Sequence, residues 1–505
     1  MSVYYLGVDQ GTTGTRFILF KKDGTIAARS YKEHKQIYPR PGWVEHDPLE
    51  IWDNTKSTIR DSLAVSKISP SEIAAIGVTN QRETTVVWDP TTGRPYLNAI
   101  VWQCTRTAKI CDELKERGLE ALIKEETGLP VSTYFSGPKI KWILDNMPAV
   151  REKVKGGRAV FGNMDTWIIW NLTGGSDRGK HVTDYTNASR TMLMDLGQLC
   201  WDEEILETLG IPEEMLPQIS PSSDNLAYGC TTKEATQKEI PITADIGDQQ
   251  AGLVGQTCFE KGQVKNTYGT GCFTLMNTGP EPVNSKHGLI TTCAYGLEKN
   301  RCIYALEGSV AIAGAAVQWL RDNLGIIKTA QETEAMAKSV AEEGSGGVYF
   351  VPAFNGLFAP HWDMYARGLI IGITGFTRKE HLVHATLEAI CHQTADVLQA
   401  MTDDSKIETP ELRADGGAST NNYLMQLQAN ISGRKVTRPT ITETTALGAA
   451  YLAGLAAGLW ENLDEVRQNW KTDRTFTPEW DEEKREKERE EWKKAVERSR
   501  RWASE

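Results

Sequence analysis

Long apolar runs are missing from this sequence. No stretch approaches the roughly 20 consecutive apolar residues that a membrane-spanning helix needs. An excess of positive charge is also missing, because the formal net charge is −11, and this excludes the broad basic field typical of nucleic-acid binding. We therefore expect neither membrane insertion nor a nucleic-acid partner.

The cysteines show no spacing typical of a metal site or of a disulfide framework. The nine cysteines include no CxxC pair and lie at no metal-ligand spacing with histidine. An odd, scattered set of this kind argues against a disulfide framework and favours a reducing compartment, so we expect a cytoplasmic protein. The length of 505 residues predicts about two to four domains.

Three common nucleotide-binding motifs are absent. The dinucleotide motif GxGxxG fails because Thr274 stands where a third glycine should follow Gly269 and Gly271. A near P-loop ends at Lys180, but His181 replaces the required serine or threonine. No HRD or DFG of a protein kinase occurs. If the chain binds a nucleotide, it does so by other means.

The stretch LGVDQGTTGTRFILF (6–20) is the first of several glycine turns. Its pattern predicts a strand ending at Asp9, a turn over 11–14 and a second strand over 15–20. The turn offers converging backbone N–H groups and the hydroxyls of Thr12 and Thr13, and Arg16 adds a positive charge. Asp9 suits a phosphate only with Mg²⁺ between them. Taken by itself, the hairpin slightly favours the alternative of a plain tight turn capped by Asp9.

Three further glycine segments favour the nucleotide interpretation. Gly269-Thr270-Gly271 follows a predicted strand, 308–314 precedes a predicted helix carrying Gln318, and Gly416-Gly417 precedes one carrying Asn421. Four such turns across both halves of the chain predict a nucleotide held by backbone loops of two lobes.

Two halves are predicted from a weak internal echo. Asp9-Gln10 and Asp248-Gln249 each follow an apolar run, and a strand–turn–strand pattern lies close to both. This echo predicts related lobes over 1–245 and 246–505.

The charged tail (480–502) is predicted to be a surface helix with a narrow apolar stripe of Trp492, Ala495 and Val496.

Several ordered blocks resemble the FGGY carbohydrate kinases. YFSGPKIKWILDN (134–146) and GLIIGITGFTRKEHLVHATLE (368–388) resemble the two family signatures. PGWVEHDP (41–48), TNQRETTVVWD (79–89) and GDQQAGLVGQ (247–256) look like the versions in members that act on glycerol. The resemblance extends from about residue 3 to 475 and leaves only the charged tail.

The resemblance implies an α/β fold of two actin-like (ribonuclease H-like) lobes, each a mixed sheet flanked by helices, with a cleft between them. It implies phosphoryl transfer from ATP to glycerol with Mg²⁺, in a homodimer or homotetramer. Another sugar or polyol kinase of the family is the nearest alternative. A nucleotide-driven binding protein of the actin type, without a small substrate, is the alternative from a different functional class.

The resemblance also implies roles for individual residues. Asp248 would be the catalytic base, and Asp9 and Asp248 would act through the metal. The glycerol site would be formed by Arg82, Glu83, Trp102, Tyr134, Asp248, Gln249 and Phe273. ATP would be held by Thr12, Thr13, Gly14, Arg16, Thr270, Gly314, Gln318, Gly417 and Asn421. Gly14 departs from the serine that relatives often have.

Each of these roles has a plainer alternative. Arg82 and Glu83 together can recognise neighbouring hydroxyls, since one donates in a fork and the other accepts, but such a pair is usually a surface ion pair. Trp102 and Phe273 could cover the carbon chain or simply fill a core. Asp248 could cap a turn instead of accepting a proton.

Overall fold

The computed structural model describes residues 3–503. The strands, in chain order, are β1 (Tyr4–Gln10), β2 (Gly14–Lys21), β3 (Ile26–Glu33), β4 (Glu45–His46), β5 (Ile73–Asn80), β6 (Val86–Asp89), β7 (Arg94–Pro95), β8 (Ala99–Ile100), β9 (Val160–Gly162), β10 (Val182–Asp184), β11 (Met194–Asp195), β12 (Cys200–Trp201), β13 (Gln218–Ser220), β14 (Ile242–Gly247), β15 (Val264–Tyr268), β16 (Cys272–Gly279), β17 (Ile290–Glu298), β18 (Arg301–Val310), β19 (Tyr349–Val351), β20 (Leu369–Ile371), β21 (Glu411–Asp415), β22 (Lys435–Pro439) and β23 (Thr472–Phe476).

The helices, in chain order, are α1 (Pro48–Ser66), α2 (Ala108–Glu116), α3 (Glu120–Thr127), α4 (Ser136–Asn146), α5 (Pro148–Val154), α6 (Met164–Leu172), α7 (Tyr185–Ala188), α8 (Glu203–Leu209), α9 (Lys233–Thr236), α10 (Asp248–Gly255), α11 (Gly314–Asp322), α12 (Glu332–Lys338), α13 (Lys379–Ser405), α14 (Asn422–Ser432), α15 (Thr444–Ala456), α16 (Leu463–Arg467) and α17 (Glu482–Ser499).

Two large mixed sheets organise the chain. The first sheet has the order β14-β5-β1-β2-β3, in which β1, β5 and β14 are parallel and β2 is antiparallel to both of its neighbours. The second has the order β17-β18-β16-β15-β21-β22-β23, and its β15, β21 and β22 are parallel. Strands β18-β16-β15-β21-β22 repeat the order and directions of β3-β2-β1-β5-β14. The expected α/β fold of two mixed sheets flanked by helices is therefore confirmed.

The weak internal repeat that predicted this duplication paired the wrong segments, those around Asp9 and Asp248. Asp9 lies near the end of β1, the first strand of its sheet in chain order. Asp248 instead begins α10 directly after β14, which is the last strand of the same sheet in chain order. The counterpart of the β1–β2 hairpin is the β15–β16 hairpin. The first sheet consequently extends to Gly247, two residues beyond the predicted division at 245.

Helix α15 belongs to the second half of the chain but packs against the first sheet. Its close approach depends on glycine, because a Cβ on Gly7 or Gly77 would clash with the carbonyl oxygens of Ala446 and Ala449. A Cβ on Gly448 would clash in the same way with α10. Glycines of β1 and β5 thus let α15 pack against the backbone of the first sheet, and Gly448 lets it pack against the backbone of α10.

The charged tail forms α17, as predicted. Trp492, Ala495 and Val496 are buried on one side of the helix, in a cluster with residues of β19, β20 and α13. The ring of Trp492 stacks on His392, with centroids 5.1 Å apart, and its indole nitrogen donates to Asp396 at 2.7 Å.

Candidate active site

Three parallel strands of the first sheet end side by side. Asn80, the last residue of β5, lies opposite Gln10 of β1 and opposite Gly247 of β14. The 11–14 turn, the 81–83 segment and Asp248 therefore leave the same edge of the sheet. The carboxyl edge of parallel strands is where ligands bind in open α/β sheets.

The glycine turn after β1 is tied to its surroundings by both threonines. The indole nitrogen of Trp102 donates to the hydroxyl of Thr12 at 3.0 Å, and the hydroxyl of Thr13 lies 3.4 Å from that of Tyr31. The backbone nitrogen of Gly11 donates to the carbonyl of Gly14 at 2.9 Å, which closes the turn.

Gly14 lies against β3 with no room for a side chain. A Cβ at this position would lie 2.6 Å from the carbonyl oxygen of Lys32 and 2.6 Å from the ring of Tyr31. Real Cβ atoms do not approach other atoms so closely, so a side chain at Gly14 would require β3 to shift.

Asp9 is a buried carboxylate beside this turn. Arg16 donates to its Oδ2 at 3.2 Å, while a Cβ on Gly11 would be 4.0 Å from its Oδ1. Burial raises the pKa of Asp9 to about 6; the charge of Arg16 opposes the rise and that of Asp248 adds to it. Two carboxylates that influence each other beside a glycine turn fit the oxygen ligands that Mg²⁺ prefers.

Arg82 and Glu83 are buried, and the surface-pair alternative is therefore wrong. The two residues are 2% and 0% exposed. Both adopt left-handed backbone conformations, with φ of 47° and 46°. Such conformations cost non-glycine residues roughly 1–3 kcal/mol each, and they are found where the surrounding structure holds them, often at functional sites.

The guanidinium of Arg82 contacts three side chains. Nη1 and Nη2 donate to the two carboxylate oxygens of Glu307 at 2.7 and 3.1 Å, and Nη1 also donates to Gln250 at 3.2 Å. Nε lies 3.0 Å from Oδ1 of Asp248 as an ion pair. Asp248 is 24% exposed, so this carboxylate is within reach of a ligand.

Glu83 is held from one side only. The Nε of Arg190 donates to its Oε1 at 2.6 Å, and Nη1 of the same arginine donates to Glu307 at 3.3 Å. Within residues 3–503, Oε2 of Glu83 and Nη2 of Arg190 are buried without a hydrogen-bond partner, whereas Nε of Arg82 and Oδ1 of Asp248 face only each other. Unsatisfied buried donors and acceptors at one place are what a polar ligand would complete.

Aromatic rings adjoin this polar cluster. Trp102 and Tyr134 meet edge to face with centroids 5.5 Å apart, and the guanidinium of Arg190 lies 5.3 Å from the ring centre of Tyr134. Phe273 is half-buried near the start of β16, next to the Gly269–Gly271 turn. Trp102 and Tyr134 therefore lie at the cluster, while Phe273 belongs to the second sheet.

The environment of Asp248 acts on its charge in two directions. Burial raises its pKa, whereas the positive charges of Arg82 and Lys265 lower it. The neighbouring Gln249 is oriented by Lys265, whose Nζ donates to the amide oxygen at 2.6 Å. The amide nitrogen of Gln249 in turn donates to Asp248 at 3.3 Å.

A separate cavity of about 420 Å³ lies at the carboxyl edge of β15 and β21 in the second sheet. It brings together five of the residues assigned to the nucleotide, namely Thr270, Gly314, Gln318, Gly417 and Asn421. The N-terminus of α11 closes against the turn, since the nitrogen of Gly314 donates to the carbonyl of Gly269 at 3.0 Å. Gly308, which the sequence placed in a glycine turn, lies inside β18 instead.

Glu307, Arg190 and Lys265 were missed by the sequence analysis. Each is fully buried, and each belongs to the charge cluster just described. A signal existed for two of them, because Glu307 in RCIYALEGSV and Lys265 in VKNTY are charges inside apolar strand patterns. A charge in a buried strand must be paired, but its partner is not readable from the pattern.

A search of the helices over residues 3–503 finds none with the length and apolar character needed to cross a membrane.

Comparison with known proteins matches both halves of the chain to one family. Residues 4–255 match the N-terminal domain, and residues 264–457 the C-terminal domain, of the FGGY family of carbohydrate kinases.

Relatives of high identity cover the whole chain. It is 57% identical to a glycerol kinase of Caldanaerobacter subterraneus subsp. tengcongensis over 506 residues, which is 100% of both chains. It is 58% identical to glycerol kinase 2 of Thermotoga maritima over 99% of both. The crystal structure of Plasmodium falciparum glycerol kinase with ADP superimposes with a TM-score of 0.91 at 39% identity, covering 99% of this chain and 98% of that one.

Proposed function

The chain belongs to the FGGY family of carbohydrate kinases, and we propose that it transfers the γ-phosphoryl group of ATP to a primary hydroxyl of glycerol, forming sn-glycerol 3-phosphate. The substrate assignment depends on two buried atoms that have no partner within the described residues, Oε2 of Glu83 and Nη2 of Arg190, and on the Arg82–Asp248 ion pair, whose carboxylate is partly exposed. These donor and acceptor groups suit a molecule whose polar groups are all hydroxyls. Trp102 and Tyr134 would cover its carbon chain.

Asp248 is the proposed general base. Its carboxylate faces Arg82 and is partly exposed, so a substrate hydroxyl bound beside Arg82 would lie within hydrogen-bond reach of it. A positioned carboxylate that accepts the proton of the attacking hydroxyl typically contributes ~10²–10⁴-fold to the rate. Burial raises the pKa of Asp248, which makes the carboxylate a stronger base than an exposed aspartate.

Asp9 and Asp248 would hold Mg²⁺. Bound there, the ion would neutralise charge on the phosphate oxygens of ATP. Arg16 and the backbone N–H groups of the 11–14 turn would orient the transferred phosphate, with Thr12 and Thr13 adding hydroxyls. The 420 Å³ cavity would take the remainder of the nucleotide, and closure of the cleft would exclude water as a competing acceptor.

A homodimer or homotetramer and a cytoplasmic location are also proposed. Large apolar side chains such as Ile373 and Phe376 are 60% and 57% exposed, which favours a protein contact at this loop. All nine cysteines lie within the described residues and all are free thiols, which favours a reducing compartment. Light scattering of the purified chain tests the oligomeric state.

A coupled assay of ADP release tests the function. With MgATP, release should require glycerol and should be far slower with xylulose or with no acceptor. Equal turnover of xylulose would overturn the glycerol assignment in favour of another kinase of the family. Slow ATP hydrolysis indifferent to glycerol would instead support an actin-type binding protein.

A further inference from the structure

Glu307 is a buried acid of the second sheet that contacts the substrate residues of the first. It lies on β18 opposite Leu275 of β16 and Ile290 of β17. Its side chain is 0% exposed and accepts hydrogen bonds from both Arg82 and Arg190. A buried carboxylate without these arginines would be strongly unfavourable, so the three side chains depend on each other.

The geometry of the Arg82 contacts determines which of its N–H groups face Asp248 and the substrate site. A guanidinium has five N–H donors in a fixed fork. Glu307 takes one hydrogen from each terminal nitrogen, and Gln250 takes the second hydrogen of Nη1. The two donors that remain, on Nε and Nη2, share one edge of the guanidinium, and the Nε end of that edge is 3.0 Å from Asp248.

The carboxylate of Glu307 also stabilises Arg190, which donates a hydrogen bond to Glu83. Arg190 donates to Glu307 through Nη1 and to Glu83 through Nε. Burial alone would raise the pKa of Glu307, but the charges of Arg190 and Arg82 outweigh burial and lower it to about 2. Glu307 is therefore a permanent anion that fixes two guanidinium groups in one arrangement.

Without this anion, Arg82 has another way to pair. Its terminal nitrogens could turn to Asp248, which would then be bound end-on by the guanidinium and less available to a substrate hydroxyl. We propose that Glu307 is a positioning residue for the polyol, which keeps the Nε–Nη2 edge of Arg82 turned toward Asp248, with one Nη2 hydrogen free for a hydroxyl, and which holds Glu83 through Arg190. The inference rests on the proposed function.

The main test is steady-state kinetics of Glu307→Gln, which keeps the shape of the side chain but removes its charge. We expect kcat/KM for glycerol to fall by about 10- to 100-fold, the change that matches loss of hydrogen bonds to a charged group. The KM for ATP should change by less than about threefold, since the cavity for the nucleotide is separate. The preference for glycerol over diols that lack one hydroxyl should shrink as well.

A double variant tests the route of the effect. If Glu307 acts through Arg82, then Glu307→Gln should change glycerol kinetics much less in an Arg82→Lys background than in the wild type. Fully additive effects would overturn the proposal. If Glu307→Gln does not fold, Glu307→Asp replaces it, with an expected intermediate loss because the shorter side chain reaches only one nitrogen.

Glu388→Gln is the matched control. Glu388 is also a buried glutamate of the second half, on α13, and pairs with His384 at 3.3 Å. It should leave the glycerol kinetics unchanged even where it lowers the melting temperature. If Glu307→Gln behaves in the same way, its role is only structural and the proposal fails. A wild type without glycerol turnover would instead defeat the proposed function.

Discussion

The indole nitrogen of Trp102 donates a hydrogen bond of 3.0 Å to the hydroxyl of Thr12. One residue thus joins the aromatic wall of the proposed polyol site to the glycine turn of the proposed phosphate site. Because the ring also packs against Tyr134, its two functions can be separated by substitution.

Trp102→Phe keeps an aromatic ring and removes the hydrogen bond. We expect the KM for ATP to rise by about three- to tenfold, since a hydrogen bond of this kind contributes roughly 0.5–1.5 kcal/mol, and the KM for glycerol to change little. Trp102→Ala should raise both constants, because the cover of the carbon chain is lost as well. An unchanged KM for ATP in Trp102→Phe would show that the bond does not orient the turn.

Asp248→Asn removes the proposed base and changes little else in shape. Turnover should fall by about 10²–10⁴-fold, whereas ADP binding measured by calorimetry should be largely kept, since the nucleotide cavity is elsewhere. Wild-type turnover in this variant would show that Asp248 is not the general base.

Asp9→Asn weakens the proposed metal site. The Mg²⁺ concentration needed for half-maximal rate should rise at least about tenfold, because the loss of even an outer-shell partner of a metal has an effect of that size. The KM for glycerol should stay close to that of the wild type. Thr13→Val, in the same turn but without a carboxylate, is the control and should leave the Mg²⁺ requirement nearly unchanged.

Asp245→Asn should make stability less dependent on pH. Burial raises the pKa of Asp245 well above its usual value, and the charges of Asp165 and Asp184 raise it further. The unfolded chain ionises this carboxyl near pH 4 while the folded chain keeps it protonated. Its contribution to stability is therefore complete below about pH 4 and is lost as the pH rises toward the folded pKa.

Asparagine cannot ionise, so the variant should melt a few degrees higher than the wild type at about pH 8, with the difference vanishing toward about pH 4. Asp404→Asn is a control of opposite sign. Burial alone would raise the pKa of Asp404, but hydrogen bonds from Ser285, Lys286 and His287 lower it. Neutralising Asp404 should lower the melting temperature at about pH 8. A lower melting temperature for Asp245→Asn at that pH would contradict the prediction.

Gly14→Ser should destabilise the protein by about 1–3 kcal/mol, because overpacking forces neighbouring atoms to move. The atoms concerned are the Lys32 carbonyl and the Tyr31 ring, both 2.6 Å from the added Cβ. Gly11→Ala is the control for stability, since its Cβ would lie 3.5 Å from the nearest atom. Denaturant unfolding compares the two, and equal stability would contradict the packing argument.

Local features were predicted well from the sequence. The helix expected in the charged tail is α17, and the side chain of Asp481 accepts from the nitrogen of Lys484 as a cap. The first hairpin and its turn also lie where the pattern indicated. These features depend on neighbouring residues, such as a capping oxygen or a glycine between two apolar runs, and such signals survive in a single sequence.

The pairing of the two aspartates at 9 and 248 as equivalents was wrong, because an apolar run followed by Asp-Gln looks the same whether a hairpin or a helix comes next. Strand order is set by contacts between distant segments, which the run itself does not encode. Only the sheet shows that Asp248 follows the last strand of the first sheet and not the first strand of the second.

The sequence by itself determined the first hairpin with its glycine turn and the helical tail, together with the family that the ordered blocks resemble, because residue spacing and backbone chemistry act locally. The tertiary structure alone decided which charges meet. Arg82 and Glu307 are 225 residues apart in the chain and 2.7 Å apart in the fold. Burial forces each charge to find an opposite one, but the fold chooses which one it finds.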